Sequence, residues 1–361
     1  ILSQGRFHML DLARELDHTG FDIKFYSFIP TSRCIKFGLQ KKCIVSLFGI
    51  IAPFLILRRI FPKLSWIHIK VQDFIMGIFM RKCDICISLT GYVYAPRIAQ
   101  KKGAIIIMER GSKHILEQKK ILEKNPHKKN EAIPNRNIKC NLKAYQFANF
   151  ISVASQHVKE SFLLHQYPEN RIFVNPYGVD LSMFKPLPNI PKKYDVIMVG
   201  GWGYEKGCDL IVEAIRKTNY SFIHVGSIKD VDFPQEKNFT HIDPVDQSKL
   251  IEYYNQAKVF ILPSRQDGFG MVLSQALACN LPIIGSNNCG APDLKKMVEL
   301  PEYITIIKDY TADAIVTAIH TAIKNYEQLG ERIYAGNAIE NLTWEAYGKR
   351  YANFLHKIIK Q

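Results

Sequence analysis

Apolar residues recur at two spacings along this chain, and the alternation between them predicts a layered α/β protein. From Arg6 to His18, residues Phe7, Leu10, Leu12, Ala13 and Leu16 fall near helical spacing, and Phe21 to Ile29 then reads as a strand. Further strands are expected at Ile85 to Leu89, Ala104 to Met108, Phe150 to Val153 and Ile172 to Asn175. Pro186, Pro188 and Pro191 disfavour regular structure and mark a boundary. Beyond them a second series has strands at Asp195 to Val199, Ser221 to Val225, Val259 to Leu262 and Pro282 to Gly285, with helices from Gly207, Gln247 and Gly270. Each series has the layout of a Rossmann-like domain. At 361 residues the chain exceeds what one hydrophobic core usually serves, so two domains are expected, 1–185 and 186–342.

Charge sharpens that division. Residues 1–185 hold 29 Lys and Arg against 13 Asp and Glu, a balance of +16, whereas the remainder holds 19 against 20. The first half is built to meet something anionic. Its lysines lie among helix-like apolar residues and in no nucleic-acid motif, which argues against a nucleic-acid partner. Ile44 to Ile60 is an apolar run flanked by Lys41, Lys42, Arg58 and Arg59, with Lys63, Lys70, Arg81 and Lys82 nearby. Interrupted by Gly49 and Pro53, it falls short of the roughly 20 residues that span a bilayer. Two readings stay open for it, an interfacial helix on an anionic membrane and a buried helix of the first domain.

The eight cysteines are scattered, as in a reducing cytosol rather than a disulfide scaffold. Cys83 and Cys86 have redox-motif spacing but run into a strand, and no second pair completes a zinc site. No signal peptide is expected. The opening at Ile1 without an initiator Met suggests a further strand upstream.

The richest chemistry lies from Pro263 to Pro282. A strand ends at Pro263, Gly268 and Gly270 let the backbone turn closely, and a helix begins near Gly270. Free amides and the positive end of the helix dipole there suit a pyrophosphate, although an ordinary strand-to-helix turn reads the same way. The segment Pro263-Ser264-Arg265-Gln266-Asp267-Gly268-Phe269-Gly270, with Gln275 eight positions after Asp267, resembles the signature of the family-4 retaining glycosyltransferases, Pro-Ser-x-x-Glu-Gly-Phe-Gly and a second Glu. The resemblance implies the GT-B fold, two Rossmann-like domains facing a cleft. It further implies that Asp267 touches donor-sugar hydroxyls, that Ser264, Arg265 and Gly268 line the donor site, that amides from Phe269 through Gly270 and Met271 to Val272 hold sugar and phosphate, and that Gln275 offers the ribose an acceptor.

Other segments carry the likeness further. Val199 to Gly207 is similar to the family's Gly-Arg followed by Lys-Gly, whose cations neutralise the diphosphate; Lys206 is present, but Gly201 stands at the Arg position. Arg265 or Arg110 is then expected to supply the second cation. Ser3 to Arg6 matches the first phosphate loop, with Gly5 near the phosphates and Arg6 in the cleft. Glu109 and Arg110 with Gly111 take the place where the family has a histidine beside the sugar, and His114 follows as a cleft residue. Pro176 to Asp180 resembles the domain-closing segment, and 343–361 the helix that crosses back to the first domain.

The resemblance implies a transferase moving a sugar from a nucleotide-diphosphate sugar to a glycan or lipid-linked acceptor, as in bacterial polysaccharide or lipopolysaccharide assembly. Retention, no metal and no cofactor beyond that co-substrate are expected, with the protein cytoplasmic or peripheral at the inner face of the membrane. A sugar-nucleotide epimerase or hydrolase of the same fold, and an inactive glycan-binding relative, stay open. Asp230-Val231-Asp232 imitates a metal-binding Asp-x-Asp but lies in a polar loop.

Overall fold

The computed structural model describes residues 1–61, 63, 67–127, 133–298, 301–329 and 340–360. Twelve strands are described, all paired in parallel. In the first half these are β1 (Phe25–Ser27), β2 (Ile44–Ser46), β3 (Ile85–Leu89), β4 (Ile105–Arg110), β5 (Phe150–Val153) and β6 (Ile172–Val174). The second half adds β7 (Tyr194–Val199), β8 (Phe222–Val225), β9 (Phe239–Ile242), β10 (Ala257–Leu262), β11 (Ile283–Ser286) and β12 (Ile304–Ile307). Parallel strands covered on both faces read as continuous apolar runs, and the middles of β4, β10 and β11 are fully buried.

The second sheet has the order β12-β11-β10-β7-β8-β9, the 3-2-1-4-5-6 arrangement of a Rossmann fold read from its other edge. In the first half, β1 pairs with β2, and β3 to β6 form a four-stranded ribbon. Leu2 joins them: it bridges Tyr26 on one side and Ser88 on the other, and its amide donates to the Ile87 carbonyl at 2.8 Å. Residues 1–3 thereby hold the central position, and the order again reverses beside it.

The final helix, Trp344–Ile359, lies against the first half. Thr343 caps it by accepting the Ala346 amide at 3.1 Å. Phe354 stacks on Phe173 at 4.1 Å, and Arg350 donates to the Asn175 side chain at 2.7 Å and the Pro176 carbonyl at 2.8 Å. The Pro176 to Asp180 segment is its partner: the Val179 amide donates to the Leu342 carbonyl at 2.7 Å.

The run from Ile44 divides into β2 and a helix, Phe48–Ile60, of which only Ile51 is buried. The buried-helix reading is thereby corrected. Phe48, Ile50, Ile56, Leu57 and Ile60 are exposed, as are Phe61 and, on the neighbouring helix His68–Phe79, Ile69, Phe74, Ile78 and Phe79. No helix among the described residues is long and apolar enough to cross a membrane.

Candidate active site in the interdomain cleft

In open parallel sheets, ligands bind beyond the carboxyl ends of the strands where the strand order reverses. Here the two reversal points face each other across a cleft of about 520 Å³. Phe7 and His8, Leu89 to Gly91, and Glu109 to Ser112 contribute from the first half; Val199, Gly200, Lys206, Asp267 and Phe269 to Val272 contribute from the second. Both segments singled out in the second half, after β7 and after β10, meet there.

Gly270 has φ +77, a conformation glycine adopts without steric cost, and the helix Met271–Ala278 starts immediately after it. The Leu273 amide returns to the Gly270 carbonyl at 2.8 Å, while the first amides of the helix lack intrahelical acceptors, as at any helix start. Facing them, Lys206 Nζ pairs with Asp267 Oδ2 at 2.7 Å. Burial opposes the ammonium's charge, but Asp267 and Glu205 together hold its pKa above the ordinary lysine value. Gly268 is forced by approach rather than by backbone angle: a Cβ there would collide with the Gly111 carbonyl of the first half. Its own carbonyl accepts the Ser155 hydroxyl at 2.5 Å.

Five expected ligand groups are placed otherwise. Arg265 makes a bidentate pair with Asp209 at 2.6 and 2.7 Å and lies over the Tyr204 ring at 3.7 Å, bracing the Lys206 turn. Arg110 spends its guanidinium on the Lys113 carbonyl, Asn141 and Gln118 at 2.7–3.1 Å. Neither is placed as the second diphosphate cation. Ser264 is fully buried, its carbonyl held by Ser286 and Tyr310 at 2.6 and 3.0 Å, so it supports the loop from behind. His114 caps the helix Ile115–Leu122 and stacks on His165 at 4.0 Å in the domain core, correcting the expectation of a cleft residue. Gln275 does line the cleft, but its Oε1 accepts the Tyr254 hydroxyl at 3.0 Å, so the acceptor expected for a ribose is in use. Asp230 accepts the Asn125 side chain at 2.7 Å and the Tyr204 amide at 3.0 Å, an organising role in its loop.

Sequence reasoning missed several residues. A Cβ added at Gly201 would strike Lys229, whose Nζ lies 2.8 Å from that point. The lysine, exposed and with only Glu205 among the described carboxylates coupled to its charge, extends from the loop after β8 over Gly201. Nothing in the linear pattern places residue 229 beside 201. An imidazole does line the cleft, that of His8, which stacks on Tyr177 at 4.3 Å and meets Glu109 at 3.2 Å. Glu109 also accepts the Tyr351 hydroxyl at 2.8 Å from the final helix. Burial pushes the carboxyl upward, but the contacts with His8, Ser152 and Tyr351 outweigh it and keep the pKa below the usual glutamate value. Glu109 is thus a positioning residue for His8. Arg6 lies over Phe37 at 3.6 Å and donates to Gln247 across the cleft mouth at 3.2 Å, and Gly5 lies in the loop before it, its carbonyl accepting the Ser3 hydroxyl at 2.8 Å.

One stability consequence follows from His157, which packs behind Asp267. Burial above all, with the Lys113 ammonium adding, pushes its pKa down to about 4. An unfolded imidazole takes up its proton near pH 6.5. Between about pH 6.5 and 4 the unfolded chain therefore binds more protons at this residue, and stability falls as pH falls. His157→Gln is expected to flatten this slope by about one proton, with other acid-sensitive groups, such as His224 at about 4, left in place. Denaturant unfolding at pH 7.0, 5.5 and 4.5 checks it; an unchanged slope would remove His157 from the account.

Residues 182–338 match the family described as glycosyl transferases group 1. Over 242 residues the chain is 26% identical to a probable sucrose-phosphate synthase of Thermosipho melanesiensis, covering 59% of this chain and 56% of that protein. The chain thus spans about half the length of that curated relative, and less of others it matches. Among solved structures, the Anabaena protein HepE in complex with UDP and glucose aligns with TM-score 0.66 at 13% identity, over 98% of both chains. WaaG, a glycosyltransferase involved in lipopolysaccharide biosynthesis, aligns with TM-score 0.60 at 13% identity, over 98% of this chain and 99% of its own. These likenesses show the fold.

Proposed function

Starting from a GT-B fold of two Rossmann-like domains whose residues 182–338 form a group 1 glycosyl transferase domain, we propose that the protein transfers a sugar from a nucleoside-diphosphate sugar to a glycan or lipid-linked acceptor. The observation that carries this is the Lys206–Asp267 pair beside the open amino end of the helix Met271–Ala278. A donor supplies what each group lacks: hydroxyls for Asp267 and phosphoryl oxygens for Lys206 and the helix amides. Charge developing on the leaving diphosphate is met by Lys206 and Lys229, so electrostatic stabilisation carries the step, with retention of configuration and no divalent ion required. His8, fixed by Glu109, faces the sugar. WaaG's role in lipopolysaccharide biosynthesis supports polysaccharide or lipopolysaccharide assembly as the setting. Melting shifts with uridine, guanosine and adenosine diphosphates, followed by turnover with EDTA present, test the reading. Release of free sugar or an epimer without any acceptor would overturn it in favour of a hydrolase or epimerase.

Lys229→Met is expected to weaken nucleoside diphosphate binding by about 1 kcal/mol, roughly fivefold, as for one hydrogen bond partly screened by water. Titration calorimetry reads this directly. An unchanged dissociation constant would return Lys229 to the role of a solvated surface residue.

We further propose that the first domain works at the anionic cytoplasmic leaflet. The exposed apolar residues of the helices Phe48–Ile60 and His68–Phe79 lie beside Arg58, Arg59, Lys70 and Arg81, a combination that suits an interfacial surface. Each basic residue near such a surface contributes about 1 kcal/mol, so the Arg58→Glu, Arg59→Glu double variant should lose at least about tenfold in vesicle binding. Binding should also fall as salt rises. Equal sedimentation with neutral and anionic vesicles would count against this.

A further inference from the structure

A second cavity, of about 790 Å³, opens in the first domain and shares Gly91 and Arg110 with the cleft. Among the described residues six cations line it, Lys70, Arg97, Lys101, Arg110, Arg136 and Lys143, against one carboxylate, Asp73. That carboxylate is occupied: it accepts the amides of Val93, Tyr94 and Ala95 at 2.7–2.8 Å, closing the start of the helix Tyr94–Lys101. Arg110 meets only neutral oxygens, so those contacts orient its charge without cancelling it. Arg97 lies over the Phe147 ring at 4.6 Å, and its Nε is buried with no hydrogen-bond partner. A buried guanidinium N–H without an acceptor is costly unless a ligand supplies one, and a cation-lined cavity with low-dielectric walls concentrates anions.

The remaining wall joins the side-chain amides of Gln118, Asn137 and Asn141 to apolar residues including Ile69, Ile98 and Ile115. Ile69 and Tyr94 belong both to this wall and to the exposed apolar surface beside it. The cavity therefore runs from that surface to the donor cleft.

We propose that this cavity is an acceptor subsite for a phosphate ester, Arg97 with Lys101 and Lys143 holding the phosphoryl group and the reacting hydroxyl pointing past Gly91 into the cleft. The assignment rests on the transferase reading for the identity of the acceptor, while the binding of the phosphate itself is independent of it. The same chemistry is offered by a lipid phosphate and by a soluble sugar phosphate.

Titration calorimetry on the full chain uses geranyl phosphate and glucose 1-phosphate as probes, each with and without a saturating nucleoside diphosphate. At least one probe is expected to bind with the nucleotide present, and Arg97→Met should weaken it tenfold or more, with Arg97→Lys recovering part. Lys101→Gln with Lys143→Gln, at two exposed positions whose change spares the core, should weaken it as well. Nucleotide affinity should stay at the parent value in all three. Geranyl phosphate alone binding assigns a lipid source, and glucose 1-phosphate binding equally assigns a soluble one; both support the subsite. No binding of either probe at millimolar concentration, or binding unaltered in both the Arg97→Met and the double variant, overturns it. Failure of the nucleotide to bind in the parent would instead count against the transferase reading and leave the phosphate result standing.

Discussion

Lys206→Ala is expected to lower kcat/KM by about 10²–10³, the loss seen when one preorganised group facing transition-state charge is removed, and to weaken nucleoside diphosphate binding with it. Asp267→Asn should lose turnover to a similar degree but keep or improve nucleotide affinity. The carboxylate holds Lys206 Nζ at 2.7 Å, so replacing it by an amide frees the ammonium for phosphate while removing the charged contact to the sugar. Opposite responses of binding in the two variants are the diagnostic result. Their double variant should fall short of the summed single losses, because residues in one ion pair do not act independently. Parental turnover in either single variant would remove that residue from the site.

Gly268→Ala should be nearly as damaging by another route. The added methyl would strike the Gly111 carbonyl across the cleft and dislodge the Ser155 hydroxyl from the Gly268 carbonyl, so the two halves could not approach fully. A displacement of about 1 Å at reacting groups costs on the order of 10²-fold. Since both sheets keep their cores, melting should shift little while kcat/KM collapses, and small-angle scattering should report a wider particle. Retained activity would show that closure at Gly268 is dispensable.

Much of this architecture was legible because buried parallel strands announce themselves as apolar runs: β3 and β5 lie where the sequence places them, and β4, β7, β8, β10 and β11 shift by a residue or two at their ends. Edge strands were harder. Phe239–Ile242 mixes Thr240 and His241 with its apolar residues, and β12 follows segments without strong periodicity. The apolar run from Ile44 could not be divided by pattern alone, since a short strand and a surface helix share its composition. In the site, the strand, turn and helix around Gly268 and Gly270 were readable from local spacing, and Lys206 and Asp267 were singled out through the resemblance that this spacing carries. Partners distant in sequence were not. Arg265 is neutralised by Asp209, 56 positions away, and Lys229 reaches Gly201 from the next strand's loop. Type and position suggest that a cation is available; only its neighbours decide whether it is.

The hydroxyl that Tyr351 places on Glu109 also imposes an order on synthesis. The carboxylate is made well before its partner, which follows 242 positions later on a helix that must travel back over the first domain. A ribosome that stalls before residue 344 releases a chain that can assemble both sheets yet leaves a charged group inside the fold short of a donor. Such a fragment is expected to be less stable than the full chain, and marginal stability of this kind exposes a protein to proteolysis.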